Sequence, residues 1–317
     1  MLKFFLFSAP LLLASTTLCA EADPNFAQAE LAGGEFTAST SGTYRTGKLF
    51  QAGSISKYAC TLAVLRLADR GDLDLDTAVA AYLPQQDTEW AEKVSLRQLM
   101  ANRSGIPDGL TQLIETDMAA ALEDRPVERA LNEYVQGPPE FEPGSEYSYD
   151  LVNWIAVQAV LQAVTQQPLG ELLGKDVFQP AGLGRTALFD PQQSSRLQSA
   201  AGDEVAPPGY LACAGGLVSS PQDLIALLRF ANQGGLSQRS LSDLRTITTP
   251  EENYTLGGRV ERRGDRLLDW KTGSNGAYKS LVVYDPAQDI GFAAMTASGD
   301  WDAINAAREN WIHRTAR

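Results

Sequence analysis

Phe50-Gln51-Ala52-Gly53-Ser54-Ile55-Ser56-Lys57 is the stretch from which the rest of the chain is read. A short apolar run meets a glycine, and from 54 to 67 the pattern turns helical, with Ile55, Ala59, Leu62, Ala63 and Leu67 along one face. Gly71 closes it. Ser54 opens this helix and Lys57 stands three residues on, so the two side chains project from nearly the same face, one turn apart. A helix start offers free backbone N–H groups and a positive dipole end, which favour negative charge developing at Ser54. A lysine buried among leucine and alanine has its charged form disfavoured and can then take a serine proton. A plainer reading uses the same residues: Ser54 or Ser56 as a helix cap and Lys57 in solvent. About one S-x-x-K arises by chance in a chain of this length, so the motif needs company.

Histidine supply narrows the chemistry. The chain holds one, His313, among charges on an expected terminal helix, where it suits a solvated surface role. Serine or cysteine hydrolysis that depends on a positioned imidazole is therefore excluded. Metal catalysis lacks ligands too, for there is no HExxH, no CxxC and no acidic cluster at ligand spacing. Neither G-x-x-x-x-G-K nor a strand-linked G-x-G-x-x-G occurs, which leaves nucleotide chemistry unsupported. A nucleophile in this chain must find its base among lysine, tyrosine and carboxylates.

The first twenty residues differ from the rest. Lys3 precedes an apolar run from Phe4 to Leu13, then small and polar residues end at Ala20. That order is a cleavable secretory signal, too short in its apolar part to span a bilayer. A lipoprotein signal at Cys19 is disfavoured by bulky Leu18. Cleavage removes one lysine and no acid, taking the formal net charge from −13 to −14. Such acidity offers no footprint for nucleic acid or an anionic membrane surface. The remaining cysteines are Cys60 and Cys213. Export would permit a disulfide, but Cys60 lies inside an apolar helical pattern, and the pair reads as two buried free thiols.

Outward from the helix, 35–39 and 43–50 read as two short strands about the turn Ser41-Gly42. The stretch 72–210 is mostly helical pieces, among them 95–101 with Ser95 as N-cap and 150–164 after Pro143-Gly144. A further helix at 220–232 has Ser220 as N-cap and Pro221 in its first turn. Strand patterns return at 267–271, 280–284 and 290–295, and a last helix carries Ile304, Ala307 and Trp311. The fold class expected is α+β: an antiparallel sheet flanked by helices, with an inserted helical subdomain.

Two further segments bear chemistry. Lys271-Thr272-Gly273 ends a strand pattern and is followed by Ser274, Asn275 and Gly276. A lysine and a hydroxyl on a strand edge suit a ligand carboxylate, and the glycine allows close backbone approach. A hairpin turn with a surface lysine is the plain alternative. Between the two motifs lies Pro143-Gly144-Ser145-Glu146-Tyr147-Ser148-Tyr149-Asp150, where a tyrosine near the serine could relay a proton. Taken alone, those tyrosines read as aromatic packing at a helix start.

The order FQAGSISK, PGSEYSYDLVNW and WKTGSNGAYKSLVVYDPAQDIGFAAM resembles the serine β-lactamase and penicillin-binding-protein superfamily. It is most similar to the branch of class C β-lactamases, D,D-carboxypeptidases and related esterases. LRQLMANRSGIPDG, VTQQPLGELLGKDVFQPAGLGRT and CAGGLVSSPQDLIALL look like the same branch, and the similarity runs from about residue 43 to 298. The resemblance implies residues 1–20 as signal and 21–317 as one catalytic domain, its sheet part about 21–71 and 211–317 and its helical part about 72–210. It implies Ser54 as acylated nucleophile, Lys57 as its activator, and Tyr149 as the family tyrosine, five residues after Gly144, with Tyr147 second by that spacing. Lys271, Thr272 and Gly273 would bind substrate, and the backbone N–H groups of Ser54 and Ser274 would form the oxyanion hole. Two departures stand out. Leu151 occupies the place of an asparagine that holds a substrate amide in relatives, and only residues 21–53 precede Ser54, so the first helix and hairpin should be shortened. The Ser-Asp-Asn segment and deacylating glutamate of class A enzymes are also missing.

The activity expected is that of an exported serine hydrolase, periplasmic or secreted, acting on D-amino-acid peptides, β-lactams or small esters. A carboxylesterase is the first alternative, and an inactive peptidoglycan- or partner-binding relative the second. Neither cofactor nor metal is called for, the partner is a small-molecule or peptidoglycan-like substrate, no span remains after signal removal, and a monomer is expected.

Overall fold

The computed structural model describes residues 24–86, 88–202 and 205–316. The expected signal, 1–20, lies outside the described residues. Among the described residues, nine strands form two antiparallel sheets. The larger has six, β1 (Ala27–Ala32), β2 (Glu35–Thr40), β6 (Arg259–Arg263), β7 (Arg266–Asn275), β8 (Tyr278–Asp285) and β9 (Ile290–Thr296), in the order β2-β1-β9-β8-β7-β6. The smaller joins β3 (Phe50–Gly53), β4 (Ala187–Leu188) and β5 (Leu217–Ser219) in the order β3-β5-β4. The chain is α+β.

Strand β8 shows why the sheet is covered on both sides. Leu281 and Val283 point to one face, where Phe292, Ile304 and Trp311 complete a core under the last helix, α12 (Trp301–Thr315). Val282 and Tyr284 point to the other face and join the main core. There α10 (Pro221–Phe230) packs on β1, β8 and β9. Its start is capped by Ser220, whose hydroxyl accepts from the Asp223 N–H.

Helix α1 (Ile55–Arg70) is buried along most of its length, and Gly71 ends it with a left-handed φ of 79°. Seven helices follow: α2 (Glu89–Lys93), α3 (Leu96–Met100), α4 (Gly109–Thr116), α5 (Met118–Ala121), α6 (Val127–Tyr134), α7 (Val152–Thr165) and α8 (Leu169–Leu173). Ser95 caps α3 in a capping box with Gln98. Two more, α9 (Ala212–Gly215) and α11 (Gln238–Arg245), flank α10. No helix among the described residues is long and apolar enough to cross a membrane.

Two expectations need correction. The N-terminal hairpin pairs 27–32 with 35–40 about Gly33-Gly34, and 43–49 carries no strand; AQAELA alternates buried with half-buried residues, a pattern passed over next to the more polar EFTAST. The hairpin has two six-residue strands. Cys60 and Cys213 are not free thiols: they form a disulfide that links α1 to α9 across 153 residues. Burial in a helix does not prevent pairing when a second element brings its own cysteine to the same buried face.

Candidate active site

Ser54 stands at the N-terminus of α1, and its side chain makes no capping bond. Lys57 Nζ lies 3.1 Å from Ser54 Oγ. The same nitrogen donates to the Ala214 carbonyl at 2.7 Å. Ser56, the other capping candidate, is buried and engaged elsewhere: it donates to the Gly53 carbonyl and accepts from the Leu217 N–H. Lys57 is 1% exposed. Burial pushes its pKa below the ordinary lysine value, and the neighbouring Tyr149 hydroxyl offsets part of that fall.

Tyr149 reaches the site from the loop before α7. That loop is pinned to the residues after α3, with the Ser148 N–H donating to the Asn102 carbonyl and the Gly144 N–H to the Arg103 carbonyl. The Tyr149 ring lies 5.0 Å from Lys57 Nζ and the Arg259 guanidinium 5.9 Å from the ring. Burial by itself would raise the phenol pKa. The Lys57 charge, hydrogen bonds with Ser54 and Lys57, and Arg259 outweigh it and leave the pKa lowered. A depressed lysine and a depressed phenol thus share one proton-handling neighbourhood. Tyr147 lies elsewhere: its ring packs 5.4 Å from Tyr254, its hydroxyl is buried with no partner among the described residues, and burial pushes its pKa up to about 12.

The opposite wall is β7. Pairing with β6 stops at Arg259–Trp270, while β7 continues along β8 to Asn275. The last five residues of β7 are thus free of β6 and face β3 and the start of α1. Two glycines permit that approach. A Cβ on Gly273 would lie 1.8 Å from the Ala52 carbonyl oxygen. One on Gly53, at φ +53°, would lie 2.4 Å from the Ser274 nitrogen. The backbones that carry the Ser54 and Ser274 N–H groups are therefore in direct contact.

Lys271 is buried, donates to the Arg259 carbonyl at 2.8 Å and sits 4.8 Å over the Tyr58 ring. Burial lowers its pKa, Asp269 opposes this and Arg259 adds to it, and the pKa is brought down to about 8. The Ser274 hydroxyl accepts from Lys279 Nζ at 2.7 Å. Ser54, Tyr149, Lys271, Thr272, Gly273 and Ser274 line one cavity of about 240 Å³, and Lys57 is buried beside Ser54. Trp270, Trp301, Tyr254 and Arg259 complete its walls. Leu151 does not line it; it precedes α7 and packs against the main core. His313 is exposed on α12.

The fold is shared with known proteins. The Beta-lactamase family model matches residues 27–316. The chain belongs to the Beta-lactamase family. A putative D-alanyl-D-alanine carboxypeptidase of Escherichia coli K12 is 25% identical over 271 residues, covering 73% of this chain and 60% of that protein. Protein flp of Staphylococcus aureus COL is 24% identical, covering 78% of this chain and 52% of that protein. The chain thus spans about half to three-fifths of the length of these relatives. Among solved structures, a D-stereospecific amidohydrolase of Streptomyces sp. superposes with a TM-score of 0.76 at 21% identity, over 90% of this chain and 93% of that one. The D-amino acid amidase of Ochrobactrum anthropi SV3 gives 0.76 at 21%, over 92% and 95%. An octameric penicillin-binding protein homologue from Pyrococcus abyssi gives 0.75 at 20%, over 93% and 74%. These likenesses fix the fold of this member of the family.

Arg259 and Tyr254 escaped the sequence reading. Strand β6, RVERR, buries only Val260 and looks like a charged loop. The one available signal was Gly257-Gly258, a pair of residues that lets a backbone pass close to a neighbour: a Cβ on Gly258 would lie 2.2 Å from Lys271 Cδ.

Proposed function

We propose that this Beta-lactamase family member is an exported serine hydrolase that forms an acyl-enzyme on Ser54. The supporting observation is the uncapped Ser54 hydroxyl, 3.1 Å from a buried lysine amine, at the wall of a cavity. In its neutral form the Lys57 amine takes the Ser54 proton as Oγ attacks the substrate carbonyl carbon. The negative charge that collects on the carbonyl oxygen is met by the N–H groups of Ser54 and Ser274. Tyr149 passes a proton to the leaving nitrogen or oxygen as its bond to the acyl carbon breaks. Water then attacks the Ser54 ester and gives its proton to the Lys57–Tyr149 pair, which passes a proton to Ser54 Oγ as its bond to the acyl carbon breaks, freeing the acid and restoring the serine.

The substrates proposed are small D-amino-acid peptides, β-lactams and related amides or esters that carry a carboxylate. Lys271, Thr272 and Arg259 put cationic and hydroxyl donors on one side of the cavity, which suits such a group. Names of relatives point the same way, with D-alanyl-D-alanine carboxypeptidase, D-stereospecific amidohydrolase and D-amino acid amidase among them. A carboxylesterase is the second reading. Leu151, packed into the core where relatives offer an amide-binding asparagine, supports it.

One panel separates them: a D-alanyl-D-alanine peptide, a D-amino-acid amide, a fluorescent penicillin and p-nitrophenyl esters, each with and without a free carboxylate. Peptide or amide turnover with penicillin labelling supports the first reading. Ester turnover alone supports the second. Absence of any turnover or label contradicts both and leaves a binding protein.

A further inference from the structure

The carbonyl that holds Lys57 belongs to a segment tied to α1 by a covalent bond. Ala214 accepts from Lys57 Nζ at 2.7 Å, and its chain neighbour Cys213 is bonded to Cys60. Cys60 lies on the same helix as Lys57, three residues on, so lysine and cross-link leave α1 from one side, a turn apart. Both cysteines are fully buried. The rest of the segment is fixed by other elements. The Cys213 N–H donates to Gln158 Oε1 on α7 at 3.1 Å, and the Gly215 carbonyl accepts from Asn275 Nδ2 at the end of β7 at 2.8 Å. Those bonds set where α9 sits against α7 and β7. The disulfide, the Ser56–Leu217 bond and the Lys57–Ala214 bond itself tie it to the helix that carries the nucleophile, and of these the disulfide alone is covalent.

We propose that the Cys60–Cys213 cross-link is a positioning device for Lys57: it holds the Ala214 carbonyl in register with the amine, and so aims the amine at Ser54. The inference rests on the acyl-enzyme reading and adds to it two residues that touch neither substrate nor nucleophile. A buried amine with four rotatable bonds points usefully only while its acceptors stay fixed. Release of α9 by an ångström would remove the backbone partner of Nζ and let it swing away from Ser54 Oγ. The carbonyl also favours the protonated amine, so its withdrawal lowers the Lys57 pKa further.

The test compares wild type with the Cys60→Ala/Cys213→Ala protein in single-turnover acylation by an activated ester, across pH, per folded molecule and below the variant's unfolding transition. Should that pair not fold, Cys60→Val/Cys213→Ala, which refills the Cys60 volume, replaces it. The expected result is an acylation constant lower by about 10–100-fold, of the size that misplacing a catalytic group by an ångström produces. Binding of the ester before acylation should stay within about twofold, and the acid limb of the rate profile should move to lower pH. An acylation constant within about twofold of wild type overturns the inference, and so does a fall with the limb in place or moved upward, which loosened structure alone would give. A wild type that is not acylated at Ser54 overturns the acyl-enzyme reading itself, and this inference with it.

Discussion

Lys57 Nζ divides itself between the Ser54 hydroxyl at 3.1 Å and the Ala214 carbonyl at 2.7 Å, with the Tyr149 ring 5.0 Å away. A charged amine in that place is penalised by burial, and the penalty leaves more of it as the free base than an ordinary lysine would have. Lys57→Ala should therefore lower the acylation rate by about 10²–10⁴-fold, measured by stopped-flow with an activated ester, while circular dichroism stays that of the wild type. A rate within about threefold of wild type would remove Lys57 from the chemistry. Lys271 answers a different question. Its pKa is brought down to about 8, so below that pH it is an ammonium and above it a neutral amine. KM for a substrate with a free carboxylate should rise as pH passes about 8, while KM for the matching neutral ester stays level. Parallel profiles for the two esters would place the carboxylate away from Lys271.

Strand β7 does at element scale what no single side chain could: it brings Thr272, Gly273 and Ser274 to the start of α1. It can do so because Gly273 has no Cβ to strike the Ala52 carbonyl oxygen, 1.8 Å from where that atom would be. Gly273→Ala should cost about 1–3 kcal/mol of stability by overpacking, read from urea unfolding. It should also cost far more acylation than that stability loss implies, because the Ser274 N–H moves away from Ser54. Near-native acylation in this variant would mean that β7 supplies no oxyanion donor. The elements legible in the sequence were those with a strong period or cap: α1 with Gly71, α3 with Ser95, α10 with Ser220-Pro221, and the apolar strands β7 to β9. Less legible were elements whose composition contradicts their setting. Edge strand β6 is three-fifths arginine, and β1 is a weakly apolar AQAELA made into a strand by pairing with β2 and β9. Ser54 and Lys57 are marked by their S-x-x-K spacing and Lys271, Thr272 and Gly273 by their place at a strand end, while Tyr149 and Ser274 are singled out by the family resemblance. Arg259 is not, since its place depends on β6, and the Cys60–Cys213 bond is not, since 153 residues of intervening chain decide whether two cysteines meet.

At the scale of the whole molecule, that disulfide closes a loop of 153 residues between the sheet-bearing segments. Chain-entropy arguments give such a closure up to about 5 kcal/mol. Cys60→Ala/Cys213→Ala should therefore unfold at markedly lower urea concentration than wild type, and an unchanged midpoint would mean that the unfolded chain is not constrained by the bond. The fold places the end of β7, the start of α1 and the loop before α7 around a single cavity, so the nucleophile with its lysine, the phenol, and the Lys271–Ser274 strand come from three parts of the chain. The account depends on the Ser54 oxygen acquiring an acyl group there. The most direct test is intact-mass measurement of the protein after exposure to a penicillin and to an activated ester, with the modified peptide mapped. The result expected is one adduct per chain on the peptide bearing Ser54, lost in Ser54→Ala with folding retained. An adduct on another residue, or one that persists in Ser54→Ala, would contradict it.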